Sequence, residues 1–223
     1  MPLLTLTAEE WTAMLLSLKV AAVAVTFSLP LGLLVAWLLS RKDFWGKSLL
    51  NGLVHLPLIL PPVVTGYLLL VTFGRRGTVG ALLEQTFGLV FSFRWTGAAL
   101  AAAVMGFPLL VRSIRLSMDA VDRRLEAAAA TLGASRFQVF RQVVLPMSLP
   151  GIITGATLVF AYNASSFVVP LLLGGRRVPM LAVMVHDQIA PLMNWPAASA
   201  AGVVLIVTTL AIMTLSEYIT GRR

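Results

Sequence analysis

Residues able to do chemistry are sparse in this 223-residue chain, and they collect in two places. The first is a charged stretch from Ser113 to Pro146, reading SIRLSMDAVDRRLEAAAATLGASRFQVFRQVVLP. The second is a scatter of polar and helix-breaking residues inside otherwise apolar runs: Pro61, Pro62 and Thr65, and then Asn163, Ser165 and Ser166. Neither has the makings of a catalytic centre. The chain has no cysteine, which removes disulfides, thiol nucleophiles and thiolate metal sites. His55 and His186 stand alone, without companions at ligand spacing, so no metal site and no cofactor are expected. No GxxxxGK[ST] segment occurs, so this chain cannot cradle ATP phosphates in a P-loop.

The composition says what positions those residues. Hydrophobic residues make up 58% of the chain, charged residues only 12%, and the mean hydropathy is +0.91. A soluble domain carries roughly 25% charged residues, so the lipid bilayer is the better solvent here. The net charge of +8 is then read as topology signal rather than as a nucleic-acid surface, because basic residues gather on the cytoplasmic side of membrane proteins. Crossing the hydrocarbon takes about 20 apolar residues in a helix. Five segments qualify: Val20–Ser40 (starting as early as Trp11 if Lys19 snorkels outward), Ser48–Phe73, Trp95–Val111 ended by Arg112, a span within Val143–Gly175, and Ala197–Leu215. The stretch Thr78–Phe93, with Glu84 and its glycines, reads as a surface or re-entrant piece. The fold expected is an all-α integral membrane protein, one transmembrane domain over residues 1–223.

Five spans put the ends on opposite sides. With the N-terminus outside, Arg41, Lys42, Lys47, Arg112, Arg115, Arg123, Arg124, Arg136, Arg141, Arg222 and Arg223 face the cytoplasm, eleven in all. Arg75, Arg76, Arg94, Arg176 and Arg177 remain outside, which is five. The excess favours N-out, C-in. The first ten residues include Glu9 and Glu10 and no basic residue, so the first span reads as a permanent helix rather than a cleaved signal.

The longest cytoplasmic loop, about 112–146, is the informative one. Val121, Leu125, Ala128 and Leu132 recur at spacings of one helical face. Gly133 follows where a helix stop belongs. Ser135 with Gln138 three residues on is a capping-box signature for a second helix, which Pro146 and Pro150 are expected to break before the fourth span. The loop is thus two short amphipathic helices meeting at a Gly-Ala-Ser elbow. Periodicity alone leaves two uses open: a helix lying on the lipid headgroups, or a rigid docking element.

The spacing decides further. Gly133, then Val143, Leu145 and Pro146, with Ala128 and Ala129 upstream, resemble the loop motif of ATP-binding-cassette (ABC) importer permeases: Glu-Ala-Ala, three residues, Gly, nine residues, then an apolar residue, any residue and Leu-Pro. One departure stands out. Glu126 lies one residue before the strict acidic position, which Ala127 occupies. The resemblance implies a type I importer permease fold, in which Glu126, Ala127, Ala128, Ala129, Gly133, Ala134, Ser135, Leu145 and Pro146 form a coupling loop docking on an ABC ATPase subunit. It also implies a second permease copy, an external solute-binding protein, and a place in the cell membrane of a bacterium or archaeon. Energy would come from the partner, so the chain itself is no enzyme. From Leu56 to Pro150 the resemblance is narrower. LPLILPPVVTGYLLL, FGRRG, FSFRWTGAALAAAVMGFPLLVRSIRLSMDAVDRRLEAAAATLGAS and LPGI are similar to the molybdate permease family, which implies molybdate, with tungstate, as the solute. YNASSFVVPLLLGG and NWP in the C-terminal third look more like polyamine, thiamine and ferric-iron permeases.

Each remaining feature has a bland counterpart. The prolines of the second span, Pro57 included, are expected to do no more than kink it, although Pro61, Pro62 and Thr65 could line a path. Gly151 and Gly155 read as a helix-packing pair. Asn163, Ser165 and Ser166 serve either a pathway or hydrogen bonding between helices. Arg75, Arg76, Arg176 and Arg177 form a solvated loop or meet carboxylates on a binding protein. A secondary transporter or channel is the competing class; it usually needs repeats or mid-span ionisable residues, and neither is found here. An assembly factor would leave the spaced loop unexplained.

Overall fold

In a computed structural model, residues 8–175, 178–190 and 192–221 are described; Arg176, Arg177, Arg222 and Arg223, counted above as loop and tail charges, lie outside them. The described residues are helical: α1 Ala8–Arg41, α2 Lys47–Ile59, α3 Pro62–Phe73, α4 Thr78–Phe87, α5 Trp95–Asp119, α6 Arg123–Thr131, α7 Arg136–Val139, a π turn Phe140–Val144, α8 Leu145–Ser165, α9 Val168–Gly174, α10 Leu181–Ile189 and α11 Trp195–Gly221. Four stretches are long and apolar enough to cross a membrane alone: α1, α5, the run from α7 through α8, and α11.

The fifth traverse is the bent pair α2–α3, and neighbouring contacts show why it must be one. Helices α1 and α5 run parallel: Lys19 covers the Trp95 ring at one end, and Ser40 bonds Asp119 at the other. The chain must therefore return between them. Helix α2 starts beside the C-terminal end of α5, where Arg115 donates to Asn51. Leu69 of α3 packs with Ala101 and Met105 further along α5, and Arg75 N–H reaches Ser92 before its N-terminus. The pair thus runs the length of α5. Helix α8 is antiparallel to α5, with Gly151 on Ser117, Gly155 on Ser113 and Val159 on Gly106. Helix α11 returns alongside it, Ala201 clustering with Ala13 and Leu181 while Ser216 meets Thr157 of α8.

Three boundaries differ from expectation. The second span breaks by 111° between Ile59 and Pro62 instead of kinking. A residue before proline is driven to extended backbone, and with prolines at 61 and 62 this strikes two residues running. Leu60 sits at ψ 142° and Pro61 at ψ 137°. Helix α5 continues past Arg112 to Asp119; the charge ends the apolar crossing but not the helix, because Arg115 pairs with Asp119 one turn on, at 3.6 Å. Nor do Pro146 and Pro150 break the second loop helix. It joins the fourth span through the π turn, whose bond from Leu145 N–H to Phe140 O closes five residues back. That wider turn sits where the Pro146 ring would otherwise press on the preceding carbonyls. The stretch after α3 forms the short helix α4, with Glu84 paired to Arg75 at 3.1 Å.

Small residues hold the centre. A Cβ on Gly151 would fall far inside contact distance of Ser117 Oγ, and one on Gly155 would meet Ser113 Oγ. Ser113 Oγ also donates to Gly151 O at 3.3 Å. Lipid gives apolar side chains little reason to leave it, so close approach of backbones is what holds membrane helices together.

Candidate functional site

The elbow is fixed by local hydrogen bonding. Helix α6 starts at Asp122, whose carboxylate accepts from Arg124 N–H at 2.9 Å. It ends in a Schellman motif: Gly133 N–H donates to Ala130 O, Ala134 N–H donates to Ala129 O, and Gly133 takes φ +86°. Two residues later the second helix opens with the complete capping box. Ser135 N–H donates to Gln138 Oε1 at 2.7 Å and Gln138 N–H to Ser135 Oγ at 3.4 Å. The termination and the restart were both legible in the sequence.

What the elbow presents is an uncovered apolar surface. Of the four residues on the expected face only Val121 is buried; Leu125 is 44% exposed and Leu132 89%, and Phe137 beyond the elbow is 69% exposed. Ala127 and Ala128 are exposed with them, Ala129 and Ala134 half-buried. Leu145 is half-buried and Pro146 exposed at the base of α8. Glu126 does something else. Its carboxylate lies 2.7 Å from Arg41 Nη2. Arg41 also donates to Met118 O at 2.6 Å and to Ser40 Oγ at 3.1 Å, while Ser40 Oγ donates to Asp119. One guanidinium thus ties the ends of α1 and α5 to α6. Sequence reading took Arg41 for a topology charge and missed this. The one signal was the displaced glutamate: a step earlier on a helix, its side chain faces the bundle rather than the open side.

The pathway candidates lie elsewhere, near mid-depth. Asn163 sits on α8 against Gly106, close to the midpoint of α5. It is fully buried, and neither its amide nitrogen nor its oxygen has a hydrogen-bond partner among the described residues. Thr65 on α3 is 5% exposed, and its hydroxyl is likewise unpartnered. Buried polar groups are nearly always bonded, and in an apolar medium an orphan costs several kcal/mol. Ser165 is spent on its own helix, donating to Ala161 O and Tyr162 O at 3.1 Å. Ser166 caps α8, where the chain breaks before α9. Pro61 and Pro62 mark the corresponding break before α3 and are exposed. The segments after these two breaks pack together, Gly66 of α3 lying under Leu172 of α9.

Known proteins can be compared against this geometry. The family model described as binding-protein-dependent transport system inner membrane component matches residues 28–223. The molybdenum transport system permease protein ModB of Escherichia coli K12 is 59% identical over 162 residues, covering 73% of this chain and 71% of that protein. The sulfate transport system permease protein CysT of Salmonella typhimurium is 34% identical, covering 88% and 72%. Among solved structures, a bacterial alginate ABC transporter in complex with alginate pentasaccharide-bound periplasmic protein aligns at TM-score 0.79 and 17% identity, over 97% of this chain and 80% of that one. The MetNI methionine ABC transporter aligns at 0.69 and 16%, over 96% and 93%. The elbow with its spaced glycine and Leu-Pro, the apolar traverses and these matches agree: this chain belongs to the family of binding-protein-dependent transport system inner membrane components, the permeases of ABC importers.

Proposed function

We propose that this permease carries molybdate, and tungstate with it, across the cell membrane, driven by ATP hydrolysis in a partner subunit. The observation that supports it most is the 59% identity to ModB. In this reading the uncovered face of α6 and the elbow, from Ala127 through Ser135, dock into a cleft of the ATPase. Both helices are capped, so the elbow moves as a body and transmits a push without dissipating it. Two copies surround the path, an external binding protein delivers the solute, and the N-terminus lies outside. Arg41, Lys42, Lys47 and the loop arginines then share the cytoplasmic face, as the excess of basic residues favours.

The two orphaned polar groups fit a transient oxyanion path. Thr65 Oγ1 and Asn163 Nδ2 are donors without acceptors, at the depth where both helices break. A dianion could be met there by hydroxyl, amide and backbone N–H groups, without a fixed cation to trap it; conduction needs sites that release their solute.

The substrate test is uptake in cells lacking their own high-affinity molybdate system. With its cognate partners the permease should restore molybdenum-enzyme activity at trace molybdate, and excess tungstate should compete. Uptake that follows spermidine, thiamine or iron and ignores tungstate would overturn the substrate while leaving the importer standing. Sulfate is the second reading, favoured by the likeness to CysT over 88% of the chain; competition by sulfate at concentrations near those of tungstate would select it. Orientation has its own test, since the chain lacks cysteine. Single cysteines at Gly77 and Gly174 should react with an impermeant reagent from outside, and one at Ser135 only after the membrane is opened.

A further inference from the structure

Behind the elbow lie two adjoining cavities; the first shares Ala130 and Ala134 with the docking segment, but the transport reading gives its basic wall no role. One, of about 420 Å³, opens between the end of α1 and the inner side of α6 and α7; Lys42, Arg123 and Arg136 line it together with the Arg41–Glu126 pair. The other, of about 470 Å³, is a groove walled by Pro30, Leu33, Leu34, Phe137 and Leu145. They share Trp37, Phe140 and Arg136, so a basic chamber continues directly into an apolar slot.

The charge in the chamber is unbalanced. Arg41 and Glu126 neutralise each other at 2.7 Å. Lys42, Arg123 and Arg136 have no carboxylate within 4 Å among the described residues, and Asp43 next door is taken by Lys47 at 2.8 Å, though it feels Arg123 at longer range. Lys42 Nζ leans over the Trp37 ring at 5.5 Å. The slot runs along α1 from Trp37 to Pro30, two turns or about 10 Å, which falls within one half of a hydrocarbon core of ~30 Å. Leu34 and Phe137 are exposed along it, so it is open from the side, and the charged chamber joins it at its Trp37 end.

We propose that this pair of cavities is a binding site for one anionic phospholipid, its phosphate in the chamber among Lys42, Arg123 and Arg136 and an acyl chain in the slot. Basic pockets at the cytoplasmic ends of membrane helices suit such headgroups. The lipid would wedge α1 against α6 and α7, setting the elbow's stance from the membrane side. The proposal rests on the elbow lying at a membrane surface and is independent of the solute carried, so it can fail while molybdate uptake stands.

The test uses the full chain with only Trp37 kept, Trp11, Trp45, Trp95 and Trp195 replaced by phenylalanine, in phosphatidylcholine vesicles containing a minor fraction of brominated lipid. Brominated phosphatidylglycerol should quench Trp37 several-fold more than brominated phosphatidylcholine at the same fraction. Arg123→Gln with Arg136→Gln should remove that preference while the chain stays folded, with at most a small drop in unfolding temperature from the lost Arg123–Ser40 O bond, and Arg123→Lys with Arg136→Lys should keep it. Equal quenching by the two lipids overturns the proposal. So does loss of the preference on adding inorganic phosphate, which would make a free anion the occupant. Efficient cross-linking between copies through cysteines at Leu34 and Phe137 would place a second permease in the slot and overturn it too.

Discussion

Helices α5 and α11 are both apolar enough to cross the membrane, yet 61% of the most apolar stretch of α5 is buried and only 11% of that of α11. The buried one is built of small residues: Gly97, Ala98, Ala99, Ala101, Ala102 and Gly106. The exposed one carries Val203, Ile206, Val207 and Leu210 on its open side. In water the larger apolar residues would mark the core. In lipid they have no reason to leave the solvent, and burial goes to whichever surface lets backbones approach. Apart from Ser216 and Thr208 of α11, which reach Thr157 and Met14, the polar groups divide in the same way. Ser113 and Ser117 lie in the α5–α8 seam against Gly155 and Gly151, whereas Thr209 and Thr214 of α11 turn back onto their own carbonyls.

Several substitutions would break or sharpen this contrast. Gly151→Leu should have the largest effect: Ser117 Oγ can rotate away from its first carbon, but Ser117 Cβ, 2.6 Å from it, cannot move without the backbone. Overpacking of this kind costs about 3 kcal/mol or more, and size-exclusion profiles in detergent should show loss of folded protein. Arg41→Gln comes next. It leaves Glu126, 22% exposed, without its cation, at a cost of order 2–3 kcal/mol once partial solvation is allowed for. Adding Glu126→Gln should recover part of the lost melting temperature, which an unrelated packing defect would not. Gly133→Val forces a β-branched residue to φ +86°, about 1–2 kcal/mol of strain; the subunit should still insert while ATP-driven uptake disappears. Normal uptake by that variant would sink the coupling role of the elbow. Ser135→Ala removes one capping acceptor, worth ~1 kcal/mol, and should lower uptake only modestly. Smallest of all, Ile206→Ala on α11 should shift the melting temperature hardly at all, because lipid replaces the lost contacts; a large loss would mean that a protein surface covers that face.

Much of the fold was readable because membrane spans and helix caps are local signals. Gly133, Ser135 and Gln138 state their conformation within six residues, and the structure agrees at each. The Gly151–Gly155 packing face was equally legible, since its spacing is its mechanism. The 111° break was not, because each proline alone argues for a kink and the full turn comes from their adjacency. The Arg41 network joins residues 77 to 85 positions apart, from Met118 to Glu126, and nothing in a one-dimensional reading pairs them. Asn163 stands out in the sequence as polar in an apolar run, but only its packing against Gly106 shows it buried without a hydrogen-bond partner among the described residues.

The π turn at Phe140–Val144 has a consequence for how this permease tolerates changes in length. A π turn holds one residue more than the α-helical turn it replaces. Deleting a single residue there would leave an unbroken α-helix into α8, with hydrogen bonding intact and every span unchanged. Because the wider turn takes up its extra residue locally, the segments on either side would keep their relative facing, and the elbow would still leave α8 on the side that meets Arg41. The same deletion a turn further into regular α8 would swing the elbow by about 100°, at 3.6 residues per turn. The π turn is thus the one stretch before α8 where the chain can lose a residue without re-aiming what lies beneath it.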